Sequence, residues 1–266
     1  MSLVGNVSYE LRGSTALLTI ERPERRNAVD AATAAELLEG YRRFEADDEA
    51  RVMILSGAGG IAFCAGADLK ALAEAGPDVP LDLIEQVAGR TEGPMGFTRL
   101  TSTKPTIAAI SGWCLAGGLE LALWCDLRIA GEGAKLGFTE RRFGVPLIDG
   151  GTQRLPRIVG MGRALEMILT GRIVEAEEAL RWGLLNEIVP AGTHLDRALE
   201  MAEGLAAFPQ PTMLSDRRAA IEGIGMTFRE GLAHEAELGR ASLTTGAQGA
   251  ARFAAGEGRG GEGSGV

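Results

Sequence analysis

The stretch GWCLAGGLELALWCD, residues 112–126, joins a glycine-containing turn to an apolar run of helical character. It follows TIAAISG, which predicts a buried strand, so a helix should begin near Gly117 where that strand ends. The first N–H groups of such a helix have no partner and can bind an anion. Glu120 falls in the first turn, where a buried acid costs several kcal/mol unless it is compensated. The stretch fits two interpretations equally: a partly hydrated glutamate stabilised by the helix dipole, or an acid kept dry for chemistry.

Outward from this stretch, strands alternate with helices up to about residue 190, and helices alone follow. VSYEL and TALLTI predict a hairpin, and Asp30 is placed to cap the next helix. Residues 81–100 predict a helix with a break near Gly93-Pro94. The expected units are an α/β core, a helical C-terminal region and a disordered glycine-rich tail, over residues 1–190, 191–254 and 255–266.

The composition limits the classes of protein to consider. The chain has 266 residues, 45% of them hydrophobic, and a net charge of −9, which disfavours nucleic acid as the main partner. Three cysteines at wide spacing predict buried thiols in a reducing compartment. We see no secretory leader and no apolar run of membrane length, so we expect a cytoplasmic protein.

Several familiar catalytic motifs do not occur in the sequence. There is no G-x-S-x-G elbow, no glycine-rich nucleotide motif and no His/Cys/Asp spacing typical of a metal site. The two histidines, His194 and His234, lie in the late helical region. We therefore expect no metal and no separate cofactor, and any chemistry should rest on carboxylates and backbone donors.

Two further segments carry candidate functional residues. FCAGADLK, residues 63–70, predicts a strand, a turn and a helix start, which suits either a ligand-binding turn or a plain connection. In GFTERRFGVPLIDGGTQRLPR, residues 137–157, Glu140 is either a reactive acid or a solvated partner of the two arginines that follow it. Asp149 in the same segment either serves a site or caps the helix expected from Thr152.

These motifs, in this order, resemble those of the crotonase, or enoyl-CoA hydratase/isomerase, superfamily. The resemblance runs from about residue 7 to about residue 254 and includes ERPERRNAVD, FCAGADLK, ISGWCLAGGLELALWCDLRIA, GGTQRLPRIVG, MILTGR and ALRWGLLNEIV. It implies an α/β fold with a spiral β-β-α core, and a helical C-terminal region through which subunits form a homotrimer or a hexamer, a dimer of trimers. It also implies an acyl-CoA thioester as ligand, with coenzyme A entering as part of the substrate.

The resemblance assigns roles to residues of this sequence. It implies an oxyanion hole formed by the backbone N–H groups of Ala67 and Gly117, and catalytic roles for Glu120 and Glu140 on the acyl group. Asp149 is a candidate auxiliary acid in the loop that lines the acyl pocket. Contacts to coenzyme A are implied for six residues: Arg25, Arg26, Ala65, Asp68, Leu69 and Lys70.

Two departures from the family pattern bear on the chemistry. Ala116 replaces one glycine of the triplet before the catalytic glutamate, and we expect the oxyanion hole to survive this small change. Arg141 and Arg142 follow Glu140 where hydratases carry apolar residues, and an arginine neighbour favours the ionised form of Glu140. At least two of the apolar side chains that could line the acyl pocket should pack in the core instead, out of Met95, Phe97, Trp113 and Phe138.

The resemblance implies an enoyl-CoA hydratase, a lyase that adds water to trans-2-enoyl-CoA thioesters in β-oxidation or related acyl-CoA catabolism. Two alternatives stay open. An enoyl-CoA or dienoyl-CoA isomerase would move a proton on the same scaffold without adding water. A non-catalytic, RNA-associated protein would need a basic surface, which the net charge of −9 argues against. The sequence does not specify the length of the acyl chain.

Overall fold

The computed structural model describes residues 5–74, 85–87 and 89–256. These residues form a six-stranded sheet in the order β1-β2-β3-β5-β7-β10 and a four-stranded sheet in the order β4-β6-β8-β9. The strands are β1 (Val7–Arg12), β2 (Thr15–Ile20), β3 (Val52–Gly57), β4 (Ala62–Cys64), β5 (Thr106–Ile110), β6 (Trp113–Leu115), β7 (Leu127–Gly131), β8 (Lys135–Gly137), β9 (Ile173–Glu175) and β10 (Glu187–Val189). The helices are α1 (Ala31–Ala46), α2 (Leu69–Glu74), α3 (Gly117–Trp124), α4 (Gly151–Val159), α5 (Met161–Thr170), α6 (Ala176–Arg181), α7 (His194–Ala207), α8 (Gln210–Glu222) and α9 (Phe228–Ala254).

Three consecutive strand pairs build the centre of the fold. In each pair, β3–β4, β5–β6 and β7–β8, the first strand joins the six-stranded sheet and the second joins the four-stranded sheet. A helix follows the first two pairs, and a 3-10 helix, Thr139–Phe143, follows the third. The predicted spiral β-β-α core is thereby confirmed. Because β4, β6 and β8 pair in parallel, the segments that leave their carboxyl ends lie at one edge of the smaller sheet.

Local sequence signals account for the elements around this centre. Every residue of β3 and β5 is buried, as expected for strands of a parallel sheet that is covered on both faces. The strands β1 and β2 form the predicted antiparallel hairpin. Asp30 caps α1 as predicted, because its side chain accepts the Thr33 N–H at 2.8 Å.

Residues 89–100 form turns, so the helix predicted over residues 81–100 is wrong for this part. Pro94 supplies no N–H for a helical hydrogen bond, and Gly93 before it has a φ of 94°. The Gly96 N–H then donates to the carbonyl three residues earlier, at 3.1 Å. Most of the remaining predicted helix lies outside the described residues. The loop packs beside the core and provides one wall of the cavity described below.

The C-terminal helices differ in what they pack against. The helix α7 covers one face of the six-stranded sheet and belongs to a second apolar core there, whereas α8 and α9 pack against each other. Exposed apolar side chains are frequent on α9, among them Phe228, Leu232, Leu243 and Phe253. The division of the chain into three units stays a prediction, and residues 257–266 of the predicted tail lie outside the described residues. Within the described part of the chain, no helix is long and apolar enough to cross a membrane.

Candidate active site

Segments leaving β4, β6 and β8 meet around one cavity of about 450 Å³. Residues 65–71 contribute from the first segment, residues 116–120 from the second and residues 139–149 from the third. Residues 29–31, together with Val87, Arg90, Pro94 and Met95, contribute more of the wall. The parallel sheet thus brings together predicted site residues that are far apart in the chain: Ala67, Gly117, Glu120, Glu140 and Asp149.

The turn after β4 packs directly against the turn after β6. Gly66 has a φ of 93°, and a methyl group there would lie 2.9 Å from the Gly117 nitrogen and 2.7 Å from the Ala116 Cβ. Only glycine allows this approach. No acceptor among the described residues takes the N–H of Ala67 or that of Gly117, and both residues line the cavity. Two neighbouring free donors can stabilise a negative oxygen, so the arrangement suits an oxyanion hole.

The replacement of glycine by Ala116 leaves the start of α3 in place. Ala116 has a φ of 54° and a ψ of −131°, a conformation that glycine adopts more readily. Its carbonyl still accepts the Glu120 N–H at 3.2 Å, and the helix begins at Gly117 as predicted. A methyl group on Gly118 would lie 2.1 Å from the Cys64 carbonyl oxygen. The glycines of this stretch therefore serve the close packing of α3 on β4.

Glu120 stands in the first turn of α3 and is only 3% exposed. Its Oε1 accepts the backbone N–H groups of Asp149 at 3.0 Å and of Gly151 at 2.8 Å. Burial is the main cause that raises the pKa of Glu120 to about 8; the charges of Asp149 and Glu140 add to it, and the two N–H groups oppose it. Of the two interpretations of this glutamate, the structure supports the dry acid.

Glu140 lies in the 3-10 helix after β8 and is 6% exposed. Its Oε2 is buried without a hydrogen-bond partner among the described residues. Burial raises the pKa of Glu140 to about 7, more than the charge of Arg141 lowers it. The Arg141 Nε donates to the Ile168 carbonyl at 3.4 Å, and Arg142 to the Gly171 carbonyl at 3.0 Å. The arginine neighbour does favour the ionised form of Glu140, as expected, but desolvation raises the pKa more than the charge of Arg141 lowers it.

Asp149 does not cap α4, because Gly150 occupies the cap position. Its Oδ1 instead accepts the Met95 N–H at 3.0 Å and the Thr98 hydroxyl. Burial raises the pKa of Asp149, while these hydrogen bonds oppose the rise. The carboxylate therefore connects the segment after β8 to the loop of residues 89–100.

The residues proposed to contact coenzyme A fall into two groups. Ala65, Asp68 and Leu69 line the cavity. The carboxylate of Asp68 pairs with Arg22 at 3.1 Å and accepts the Lys70 N–H at 3.2 Å, so it holds the start of α2. The remaining three residues are exposed and do not belong to the cavity wall as far as the structure describes it: Arg25, Arg26 and Lys70.

Part of the wall was not apparent from the sequence. Of the four apolar candidates only Met95 lines the cavity, whereas Phe97 and Phe138 are fully buried core residues. Apolar residues of the segment after β8 and one cation, Arg90, complete the wall. No short-range pattern marks these positions, because they depend on how the loops fold over the sheet edge. Among the described residues, no group of three or more His, Cys, Asp or Glu side chains could hold a metal ion.

Comparison with known proteins relates this chain to enoyl-CoA hydratases and similar enzymes. The profile of the family described as enoyl-CoA hydratase/isomerase matches residues 10–238. The crystal structure of enoyl-CoA hydratase from Mycobacterium tuberculosis H37Rv superposes with a TM-score of 0.84 at 35% identity, over 94% of this chain and 95% of that one. (E)-benzylidenesuccinyl-CoA hydratase of Thauera aromatica is 37% identical over 85% of this chain and 86% of its own. Carnitinyl-CoA dehydratase of Proteus mirabilis (strain HI4320) is 40% identical over 73% of this chain and 72% of its own.

The two sheets, the spiral β-β-α core and the cavity at one sheet edge define a protein of the crotonase fold. The chain belongs to the enoyl-CoA hydratase/isomerase family.

Proposed function

We propose that this protein is an enoyl-CoA hydratase that adds water across the double bond of a trans-2-enoyl-CoA thioester. One observation carries the proposal: two buried carboxyl groups with raised pKa values line the same cavity as two unpaired backbone N–H groups. The names of the relatives agree with this chemistry, since a hydratase and a dehydratase act on the same bond in opposite directions. We place the reaction in β-oxidation or related acyl-CoA catabolism.

The oxyanion hole would activate the thioester. Its carbonyl oxygen accepts hydrogen bonds from the N–H groups of Ala67 and Gly117, and gains negative charge as the nucleophile attacks C3. Donors that are already in position stabilise this charge without reorganisation, and losing one such donor typically costs about 3–4 kcal/mol. The attack therefore proceeds through an enolate-like state that these two backbone N–H groups stabilise.

The two glutamates would handle the water and its protons. With a pKa of about 8 for Glu120 and about 7 for Glu140, the pair holds one charged and one neutral carboxyl over much of the neutral range. The charged group takes a proton from the water that attacks C3, and the neutral group delivers a proton to C2. We assign the two roles to the pair rather than to either residue. Burial keeps bulk solvent away, so that a single water is held between them.

The coenzyme A moiety would occupy the side of the cavity formed after β4. Ala65 and Leu69 supply its wall, and Asp68 keeps α2 in place through Arg22 and the Lys70 N–H. We assign the exposed cations of this region to the phosphates, because they are free to turn toward an anion. These cations are Arg25, Arg26 and Lys70.

A panel of thioesters tests the proposed function. The purified protein is offered crotonyl-CoA and the corresponding 3-enoyl-CoA, and products are followed by mass spectrometry and by the absorbance of the conjugated thioester. Hydration of crotonyl-CoA to the 3-hydroxyacyl product is expected. Conversion of the 3-enoyl-CoA to its conjugated isomer, with no water added to either substrate, would make the enzyme an isomerase and refute the proposal.

We also propose that the chain assembles as a homotrimer, or as a hexamer of two trimers. The apolar side chains on α9 support this, because Phe228 is 84% exposed and Leu243 is 69% exposed in the single chain. Light scattering coupled to size-exclusion chromatography should give three or six times the chain mass. A monomer at micromolar concentration would contradict the assembly without touching the proposed chemistry.

A further inference from the structure

Asp149 lies between two loops that flank Glu120. Its Oδ1 accepts the Met95 N–H at 3.0 Å and the hydroxyl of Thr98, both in the loop of residues 93–98. Its own backbone N–H donates to Glu120 Oε1 at 3.0 Å. A single residue therefore joins a wall of the cavity to the carboxylate that faces it. The side chain of Asp149 is 4% exposed, so these hydrogen bonds compete little with water.

The side chain of Arg154 joins the same two loops a second time, through a backbone carbonyl group in each. Its Nη1 donates to the Asp149 carbonyl at 2.9 Å and its Nη2 to the Thr98 carbonyl at 2.5 Å. The Gly151 N–H donates to Glu120 Oε1 at 2.8 Å. One oxygen of Glu120 thus carries two hydrogen bonds, whereas its Oε2 has no hydrogen-bond partner in the part of the chain that the structure describes. The segment that contains Asp149 determines which way this carboxyl group faces.

We propose that Asp149 is a positioning residue: its side chain anchors the segment of residues 149–151 to the loop of residues 93–98, and this anchor orients Glu120 toward the substrate. Asp149 then gives no proton to the acyl group. Its Oδ1 accepts the Met95 N–H and the Thr98 hydroxyl, both from the loop that it anchors. For its kinetic consequences the inference rests on the proposed function, but the contacts themselves exist without substrate.

The charges around Glu120 give the proposal a second observable. After burial, the negative charges of Asp149 and Glu140 raise the pKa of Glu120. Arg154 faces both Glu120 and Asp149, and Arg99 faces Asp149. Removing the charge of Asp149 while leaving these neighbours in place should therefore lower the pKa of Glu120. This shift reports how closely the Asp149 carboxylate lies beside Glu120, and it can be followed without substrate.

Two substitutions separate the charge of Asp149 from its anchoring role. Asp149→Asn keeps an oxygen that can accept from Met95 and Thr98 but removes the charge. The carboxyl titration of Glu120, followed by 13C NMR and assigned with Glu120→Gln, should move to lower pH. One limb of the pH profile of kcat/KM should move with it.

Thr98→Val removes the hydroxyl donor at nearly constant volume and leaves every charge in place. With the anchor weakened, kcat should fall between about tenfold and about a hundredfold, because small misplacements of a catalytic group are costly. KM should change less, since the wall stays apolar. Thr98→Ser restores the hydroxyl and should recover most of the loss. Melting temperatures of all variants show whether each one is folded.

The proposal is overturned if the titration of Glu120 does not move in Asp149→Asn, or if Thr98→Val keeps the wild-type kcat. Complete loss of activity in Asp149→Asn, with full activity in Thr98→Val, would identify a proton donor and overturn it as well. If the wild-type protein hydrates no enoyl-CoA, the proposed function fails, and the NMR titration of Glu120 still tests the placement of the Asp149 carboxylate beside Glu120.

Discussion

Glu120 and Glu140 line the same cavity but differ in their local surroundings. Glu120 begins a helix, accepts two backbone N–H groups and has other carboxylates as neighbours. Glu140 lies in a short 3-10 helix before two arginines, and its Oε2 has no partner among the described residues. Burial nevertheless raises the pKa of both, to about 8 and about 7. In this site desolvation is the largest cause acting on both acids, so the charge pattern along the chain does not by itself set their pKa values.

The largest effect should come from removing either acid. Glu120→Gln and Glu140→Gln each keep the shape of the side chain but cannot exchange a proton. Each should lower kcat for crotonyl-CoA by between about a hundredfold and about ten-thousandfold, the usual contribution of general acid–base catalysis. Affinity for a CoA thioester, measured by calorimetry, should change little. Full activity in either variant would show that the two carboxyl groups do not work as a pair.

The next largest effect concerns the oxyanion hole, which activates the thioester on which both acids act. In Gly66→Ala the new methyl group would lie 2.9 Å from the Gly117 nitrogen. One donor should be displaced, so kcat should fall by about a hundredfold or more. Gly162→Ala, in α5 where a methyl group meets open space, is the matched control and should keep full activity. Equal activity of the two variants would show that the oxyanion hole does not contribute to catalysis.

The stability of the fold should depend on pH through the same two acids. Both pKa values are raised in the folded state, to about 8 and about 7, so the folded chain binds more protons than the unfolded chain in the range between the ordinary glutamate value and these values. Stability from these groups is full below about pH 4.5 and is lost as the pH rises to about 8. The double variant Glu120→Gln/Glu140→Gln should lack this loss.

Chemical denaturation of both proteins at about pH 5 and about pH 8 measures the difference. Relative to the double variant, the wild type should lose roughly 2 kcal/mol or more of unfolding free energy between these conditions. Parallel pH dependence of the two proteins would mean that the acids are not desolvated as described.

The smallest effect is expected from Arg141→Gln. The Arg141 guanidinium donates to the Ile168 carbonyl, and its charge lowers the pKa of Glu140 less than burial raises it. Its removal should raise that pKa by less than about 0.5, as followed by 13C NMR of the Glu140 carboxyl. A rise of more than one pH unit would show that arginine, rather than burial, controls this acid.

The sequence predicted those parts of the molecule that depend on local patterns. The start of α3 at Gly117, the hairpin of β1 and β2 and the cap of Asp30 all follow from turn, alternation and capping signals within a few residues. The resemblance of spaced motifs added the spiral core, and the structure then brought eight of the predicted site residues to one cavity.

The errors arose where long-range contacts decide the outcome. The side chains of Asp149 and Thr98 meet although they are 51 residues apart, and Arg141 turns to a carbonyl 27 residues away. The loop of residues 89–100 has a helical pattern but is held as turns against the core. No local rule contains these pairings, because the parallel order of β4, β6 and β8 produces them.

The central claim is that this pair of acids adds water to an enoyl thioester. The water oxygen goes to C3, and one of the acids delivers a proton to C2. The most direct measurement is the mass of the product formed from crotonyl-CoA in water enriched in both oxygen-18 and deuterium. The 3-hydroxyacyl-CoA should carry one oxygen-18 at C3 and one non-exchangeable deuterium at C2, and Glu120→Gln and Glu140→Gln should form almost none of it. Deuterium in a recovered unsaturated thioester, with no oxygen-18 incorporated, would contradict hydration and leave proton transfer alone as the reaction.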